Sequence, residues 1–184
     1  IGQMMEKVVL PPFRPRRTEE EIRKQMPWAT QGKLAGHKRN VITSLELDPA
    51  IMEENNIRFQ AKYRKIEEAE VRYEEIGCEN ADYLMIAFGS MARICLKTQE
   101  MALAEGIKVG VLRPITLWPF PSKIIAEYAN KVKGMISVEL NAGQMVEDIR
   151  LAVNGKVKVE HFGRLGGIVP TPDEVLNALK QKLM

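Results

Sequence analysis

The second half of the chain alternates short apolar runs with amphipathic stretches of helical length. Asp82-Tyr-Leu-Met-Ile-Ala-Phe88, Gly106-Ile-Lys-Val-Gly-Val-Leu112 and Gly134-Met-Ile-Ser-Val-Glu-Leu140 read as buried strands, and Lys156–Phe162 closes the set. The stretches between them predict helices. The first spans Met91–Glu105, with Ile94, Leu96, Met101 and Leu103 as core candidates, and the second runs from Ser122 to about Asn130. The third is Gln144–Val153, ended by Asn154-Gly155, and Thr171-Pro172-Asp173 opens a terminal helix that ends near Leu183. Val71–Ile76 alternates weakly, as an edge strand before the Gly77 turn would. Strands alternating with helices of this length predict βαβ units, hence an α/β fold with a parallel sheet covered on both faces. Right-handed crossovers then gather every strand-to-helix turn on one sheet edge.

The first half has a different texture. Residues 10–39 hold four of the ten prolines, a basic cluster (Arg14, Arg16, Arg17) and little periodicity. Thr18-Glu-Glu-Glu21 has the form of a capping box opening a short helix, Glu19–Gln25, which Pro27-Trp28 ends. Trp28 in so polar a segment is expected to dock on another surface. So long a stretch with so little regular structure predicts an interdomain connector or a subunit-embracing arm. From Asp48-Pro49 to about Glu70 a charged helix is expected, with Ile51, Ile57, Phe59, Tyr63 and Ile66 giving it one packed face. Glu53 and Glu54 near its start and Arg64 and Lys65 near its end would suit the helix dipole. Residues 1–47 are accordingly taken as a linker or arm, and 48–184 as the αβα domain with its leading helix. Ile1–Pro12 shows neither an initiator Met nor a signal-peptide pattern and reads as the last turn of a helix running into a linker, as in a piece of a longer polypeptide.

The sharpest passage is Arg113-Pro-Ile-Thr-Leu-Trp-Pro-Phe-Pro121. Its prolines are expected to drive the chain off the sheet at Arg113, leaving a basic side chain at the exit. The other turns on the same edge are Gly89-Ser90, Glu139-Leu-Asn141 and Gly163-Arg164. The carboxyl ends of strands are where open α/β sheets bind ligands, so Gly89, Ser90, Arg113, Glu139, Asn141, Gln144 and Arg164 form the candidate interface or ligand edge. Each also has a structural reading. Ser90 would be an N-cap, Arg113 and Glu139 would pair with each other, and Asn141 would satisfy turn backbone, with Gln144 in the following first turn. Arg164, flanked by glycines, is the best candidate for contact outside the domain. His161 has no acid or nucleophile at a recognisable spacing and reads as structural. Neither GxGxxG nor a Walker A lysine follows a strand, and no nucleophile–base set can be assembled, so no catalytic residue is assigned.

Charge and composition narrow the rest. The 27 basic and 24 acidic residues leave a net +3, a mixed surface rather than a nucleic-acid footprint. Cys78 and Cys95 lie on separate elements, outside any metal-ligand spacing, and two lone thiols favour a reducing, cytoplasmic setting. No apolar run is long enough to cross a membrane.

Phe-Gly-Ser-Met-Ala-Arg (88–93), residues 106–121, Val-Glu-Leu-Asn-Ala-Gly-Gln-Met-Val-Glu-Asp-Ile-Arg (138–150) and Phe-Gly-Arg-Leu-Gly-Gly (162–167) together resemble the α subunit of 2-oxoacid:ferredoxin oxidoreductases. The 2-oxoisovalerate type is nearest, then the 2-oxoglutarate type. The resemblance covers the whole second half; more loosely, Ile1–Pro12 is similar to the end of the family's pyrimidine-binding domain. It implies a transketolase C-terminal-like layer with a five-stranded mixed sheet whose first strand is antiparallel, a role suited to Val71–Ile76. It implies an enzyme that decarboxylates a 2-oxoacid on thiamine diphosphate with magnesium, makes an acyl-CoA from CoA, and passes electrons through iron–sulfur clusters to ferredoxin. The partners it implies are a diphosphate-binding β subunit and an iron–sulfur subunit. This stretch would itself bind no cofactor, serving assembly or bordering the CoA or substrate approach. An NAD-linked 2-oxoacid dehydrogenase, a transketolase and a free-standing interaction module are the alternatives.

Overall fold

The computed structural model describes Leu10, residues 12–29, Gly32, Gly36 and residues 38–184, so most of the expectation for Ile1–Pro12 lies outside the described residues. The chain divides into two compact units, one of residues 7–58 and one holding Phe59–Met184.

In the first unit, α1 (Glu19–Gln25) forms as the capping box predicts. The Thr18 hydroxyl accepts the Glu21 N–H at 3.2 Å, and the Glu21 carboxylate accepts the Thr18 N–H at 2.8 Å. No described residue between 12 and 47 is buried. Trp28 stands 61% exposed. The division falls inside α2 (Pro49–Ala69), which Asp48 caps by accepting the Ala50 N–H at 2.8 Å.

The helix differs from expectation in two respects. None of its residues is buried, because Ile57 lies on the side opposite Phe59, Tyr63 and Ile66 and breaks the single apolar stripe. Only those last three share a face, and Tyr63 sets its ring edge-on to Trp118 with centroids 5.7 Å apart. The dipole expectation also fails. Glu53, Glu54, Arg64 and Lys65 sit a turn inside the ends, and the last turn carries Glu67 and Glu68 instead.

The second unit is the αβα layer. Strands β1 (Tyr73–Ile76), β2 (Tyr83–Ile86), β3 (Val109–Pro114), β4 (Gly134–Glu139) and β5 (Lys158–Gly163) form one sheet in the order β1-β3-β2-β4-β5. Only β1 runs antiparallel, opposite β3. Side-chain alternation sends Met85, Val109, Val111, Ile136 and Val138 to one face, under α3 (Gly89–Ala104) and α6 (Pro172–Leu183). Leu84, Ile86, Leu112 and Met135 go to the other, under α4 (Ser122–Tyr128) and α5 (Met145–Val153). Full burial on both faces explains why these strands read as continuous apolar runs.

In α3 the inward stripe is Met91, Ala92, Ile94, Cys95, Thr98, Gln99 and Ala102, while Leu96 and Leu103 face outward, against expectation. The two buried polar side chains of this stripe are hydrogen-bonded. Gln99 donates to the carbonyls of Ile76 and Val109, both at 2.9 Å, and Thr98 donates to that of Ile94 at 3.1 Å. The chain also stays in the sheet longer than the prolines suggested. Arg113 and Pro114 complete β3 opposite Glu74 and Tyr73, and the N–H groups of Ile115 and Thr116 donate to the Arg72 carbonyl. Proline at the last strand position forfeits one donor without breaking the ladder.

Gly110 marks a close approach within this sheet. A Cβ there would lie 2.7 Å from the Cys78 Cα and 2.8 Å from Leu84 Cδ2. Gly110→Ala is therefore expected to cost ~2–3 kcal/mol in urea denaturation with an unchanged m value. A cost below ~0.5 kcal/mol would contradict the packing.

Candidate functional site

The strand order reverses between β2 and β4. The chain leaves β2 into α3 on one face and leaves β4 into α5 on the other, so the two turns diverge and open a crevice at the carboxyl edge. A cleft of about 140 Å³ lies there, lined by Phe88 from the end of β2, Leu117 and Phe120 from the β3–α4 loop, and Glu139, Asn141 and Met145.

Glu139 organises this edge from within. Its side chain is completely buried. Alternation points it, with Ser137, to the α5 face, where its oxygens accept four hydrogen bonds: Ser137 Oγ at 2.7 Å and the N–H groups of Gln144, Met145 and Val146 at 3.1, 2.9 and 3.0 Å. Those are N–H groups that the first turn of α5 would otherwise leave unpaired, and the carboxylate sits at the positive end of that helix. Burial alone would raise the Glu139 pKa; the hydrogen bonds from Ser137, Met145, Gln144 and Asn141 outweigh it and hold the carboxyl below the ordinary glutamate value. The Glu139 carbonyl also accepts the Arg164 N–H at 3.2 Å, joining the β5 exit to the same residue.

The other candidates fall around it. Asn141 Oδ1 accepts the Gly143 N–H at 2.7 Å, the turn role expected of it, and Gln144 precedes the first turn of α5. Arg113 does not pair with Glu139, because β2 stands between their strands; it pairs with Glu74 of the antiparallel neighbour at 2.8 Å, on the surface. Arg164 pairs at 3.0 Å with Glu174, the acidic member of the Thr171 capping box, so its charge is tied to α6. Ser90 is not the N-cap: Gly89, at φ +57°, already begins α3, and Phe88 holds the cap position without a side-chain bond. Gly163 is fixed by contact, since a Cβ there would lie 2.2 Å from the Asn141 carbonyl oxygen. His161, on the same sheet face as Glu139, brings Nε2 to 3.8 Å from Glu139 Oε1, and that nitrogen is buried without a hydrogen-bond partner.

Two features were not foreseen. One is the inward role of Glu139, whose signal was parity: Met135, Ser137 and Glu139 share one side of a fully buried strand. The other is an apolar rim. Leu140, Leu165, Ile168 and Val169 emerge from the turns after β4 and β5 with 44–58% of their surface exposed.

Among the described residues the thiols do not suit a resident metal ion or iron–sulfur cluster. Cys78 and Cys95 are both buried, burial pushes the Cys78 thiol up to about 11 and raises that of Cys95 further, and Glu139 is engaged by four donors. Among the described residues no cluster of three His, Cys, Asp or Glu is placed to hold a metal ion, and no helix is long and apolar enough to cross a membrane.

A split-gene transketolase, an inactive β4 tetramer, superposes with a TM-score of 0.53 over 61% of this chain and 41% of its own at 20% identity, a likeness of fold. Residues 81–175 match the model of pyruvate:ferredoxin oxidoreductase core domain II, and the chain belongs to that family. The ketoisovalerate oxidoreductase subunit VorB of Methanothermobacter thermautotrophicus is 43% identical over 98% of this chain and 49% of its own length. The 2-oxoglutarate synthase subunit KorA of Methanothermobacter marburgensis is 34% identical over 55% of this chain and 27% of its own. The 2-oxoglutarate:ferredoxin oxidoreductase of Magnetococcus marinus, solved with 2-oxoglutarate, coenzyme A and succinyl-CoA bound, superposes with a TM-score of 0.65 at 26% identity, over 76% of this chain and 24% of its own. The chain spans about half the length of VorB.

Two outcomes follow for Glu139. Glu139→Gln keeps the shape but loses the charge at the helix terminus and converts one acceptor to a donor facing N–H groups; a loss of ~2–3 kcal/mol in chemical denaturation is expected. Because the folded carboxyl titrates below the unfolded one, its stabilisation is complete above the unfolded value of about 4.3 and disappears as pH falls through the lower folded value. The stability difference between wild type and Glu139→Gln should therefore be constant from neutral pH to about pH 5 and shrink below it. A difference independent of pH would show that the charge contributes nothing.

Proposed function

We propose that this chain is the core domain II portion of the α subunit of a 2-oxoacid:ferredoxin oxidoreductase, and that it serves assembly rather than bond-making. The whole enzyme would convert a 2-oxoacid anion, CoA and two oxidised ferredoxins into an acyl-CoA, carbon dioxide, a proton and two singly reduced ferredoxins, using thiamine diphosphate and iron–sulfur clusters held elsewhere. A branched 2-oxoacid of the ketoisovalerate type is the substrate the 43% identity favours, with 2-oxoglutarate second. The observation that carries the assembly reading is the apolar rim: four large side chains from two turns lie exposed on the edge where this sheet type meets its ligands and neighbours. Glu139, Arg113 and Arg164 hold the edge in shape, and the rim supplies the contact with a diphosphate-binding β subunit, next to the CoA approach.

The test is made on the full-length parent subunit from its native host. Purification should bring down diphosphate-binding and iron–sulfur subunits, and 2-oxoisovalerate with CoA should reduce ferredoxin with a higher kcat/KM than 2-oxoglutarate. Leu165→Lys combined with Ile168→Lys should leave the thermal midpoint of the domain within about 2 °C while removing the partner subunits. A parent subunit that purifies alone and reduces nothing would end this reading.

A further inference from the structure

The cleft at the strand reversal lies on the α4/α5 side of the carboxyl edge, since Phe88, Phe120 and Met145 all pack with the apolar cluster of that face. Its two sides differ in chemistry. Phe88, Leu117, Phe120 and Met145 make the apolar side, and the two rings there are half-buried. Gln144 and Asp148 line the polar side, one helical turn apart and therefore on one face of α5. Both are exposed. The Gln144 side chain makes no cap bond, and Asp148, unlike Glu139, has no hydrogen-bond or ion-pair partner among the described residues.

The charges around the cleft favour a cation. Residues 115–128 carry Lys123 and Glu127, and residues 139–153 carry Glu139, Glu147, Asp148 and Arg150, so four acids less two bases leave −2. Glu147 pairs with Arg150 at 2.7 Å, and Glu139 is engaged by its four donors. Lys123 belongs to the first turn of α4 and does not line the cleft, and His161 approaches Glu139 from outside it. The other bases of the edge are turned elsewhere. Arg113 is tied to Glu74 and Arg164 to Glu174, while Arg93 rides on α3, which covers the opposite face. Among the described residues, Asp148 is thus the one uncommitted charge at the cleft wall.

Size narrows the ligand further. A cavity of roughly 150 Å³ holds one benzene ring. A cleft of about 140 Å³ therefore takes a group of one-ring size and is too small to enclose a purine. Its carboxylates also disfavour the phosphates of CoA and the carboxylate of a 2-oxoacid. A planar cation meets every condition: its face stacks on an aromatic ring, and its N–H groups donate to a carboxylate and an amide oxygen. We infer that this cleft binds a guanidinium group carried on a short apolar stem, with Phe88, Leu117 and Phe120 against the stem and plane and Asp148 and Gln144 accepting its N–H groups. An arginine side chain of a neighbouring chain and a free small cation share that chemistry. The inference goes beyond the assembly reading and does not rest on it.

The experiment titrates n-propylguanidinium into the full 184-residue chain at constant ionic strength and follows the methyl resonances of isotope-labelled Met and Leu. Those of Met145 and Leu117 should shift together and saturate, with a dissociation constant of about 1 mM or lower. n-Propylammonium, a point charge with no plane to stack, should bind at least about threefold more weakly, and n-propanol should not saturate. Asp148→Asn removes only the charge of an exposed side chain, so the fold is kept and the affinity should fall about fivefold or more. The native assembly of the parent subunit then distinguishes the two sources. A probe that releases a bound subunit assigns the cleft to that subunit's arginine, and one that binds without releasing any assigns it to a free cation. Met145 and Leu117 resonances that do not move, a response equal to that of n-propanol, or an Asp148→Asn chain that binds like wild type would each overturn the inference. Failure of the assembly reading would show instead in subunit capture, so either can fail alone.

Discussion

The carboxylate of Glu139 and the three N–H groups it accepts are the constraint around which the edge is built. A carboxylate is costly to bury, and this one is buried completely at the end of the interior strand β4. It is tolerated because four donors converge on it, three of them the first N–H groups of α5 and its cap residue. The same bonds fix where α5 begins and therefore where β4 and β2 part company. Remove the charge and the helix start, the Asn141 turn and the Arg164 exit lose their common anchor. The cleft at the strand reversal exists because that anchor holds α5 to its own face while α3 departs to the other.

Glycine completes the constraint. The turn after β4 and the exit from β5 come so close that the Asn141 carbonyl occupies the space a side chain at position 163 would need. A capped helix and a glycine contact thus knit two neighbouring strand ends into one rigid edge. The same packing leaves His161 Nε2 beside the carboxylate without a partner. Such a rigid edge fits the assembly role proposed above.

Most of the fold was legible because both faces of the sheet are buried. Continuous apolar runs, glycine or asparagine at helix ends and the Thr171 capping box each mark an element directly, and β1 as the antiparallel first strand followed from the family wording of the later turns. The site was less legible, for a physical reason. Sequence shows which residues lie at strand ends, but pairing across the sheet depends on strand order, which composition does not encode. Arg113 and Glu139 seemed natural partners until β2 came between them, and Glu74, on the weakest strand, proved the neighbour that counts. Leu96 and Leu103 fall outside the face that Met91, Ile94, Cys95, Thr98 and Ala102 set at helical spacing, a phase that apolar character alone does not fix. In α2 a single misplaced isoleucine was enough to break the expected stripe.

The two halves of the chain also divide the physical work differently. The αβα layer hides its large apolar side chains and spends its polar ones on internal bonds, as Gln99, Thr98 and Glu139 do. The stretch before it does the opposite, leaving Phe13, Trp28, Val41, Ile42 and Leu47 exposed along backbone with little regular structure. Exposed apolar side chains on backbone of this kind leave apolar surface in water, and covering that surface is favourable. Proline stiffening of the segment lowers the entropy lost when it is covered. Under the assembly reading proposed above, a rigid αβα layer and an extended stretch before it are the two properties that contact with other chains would use.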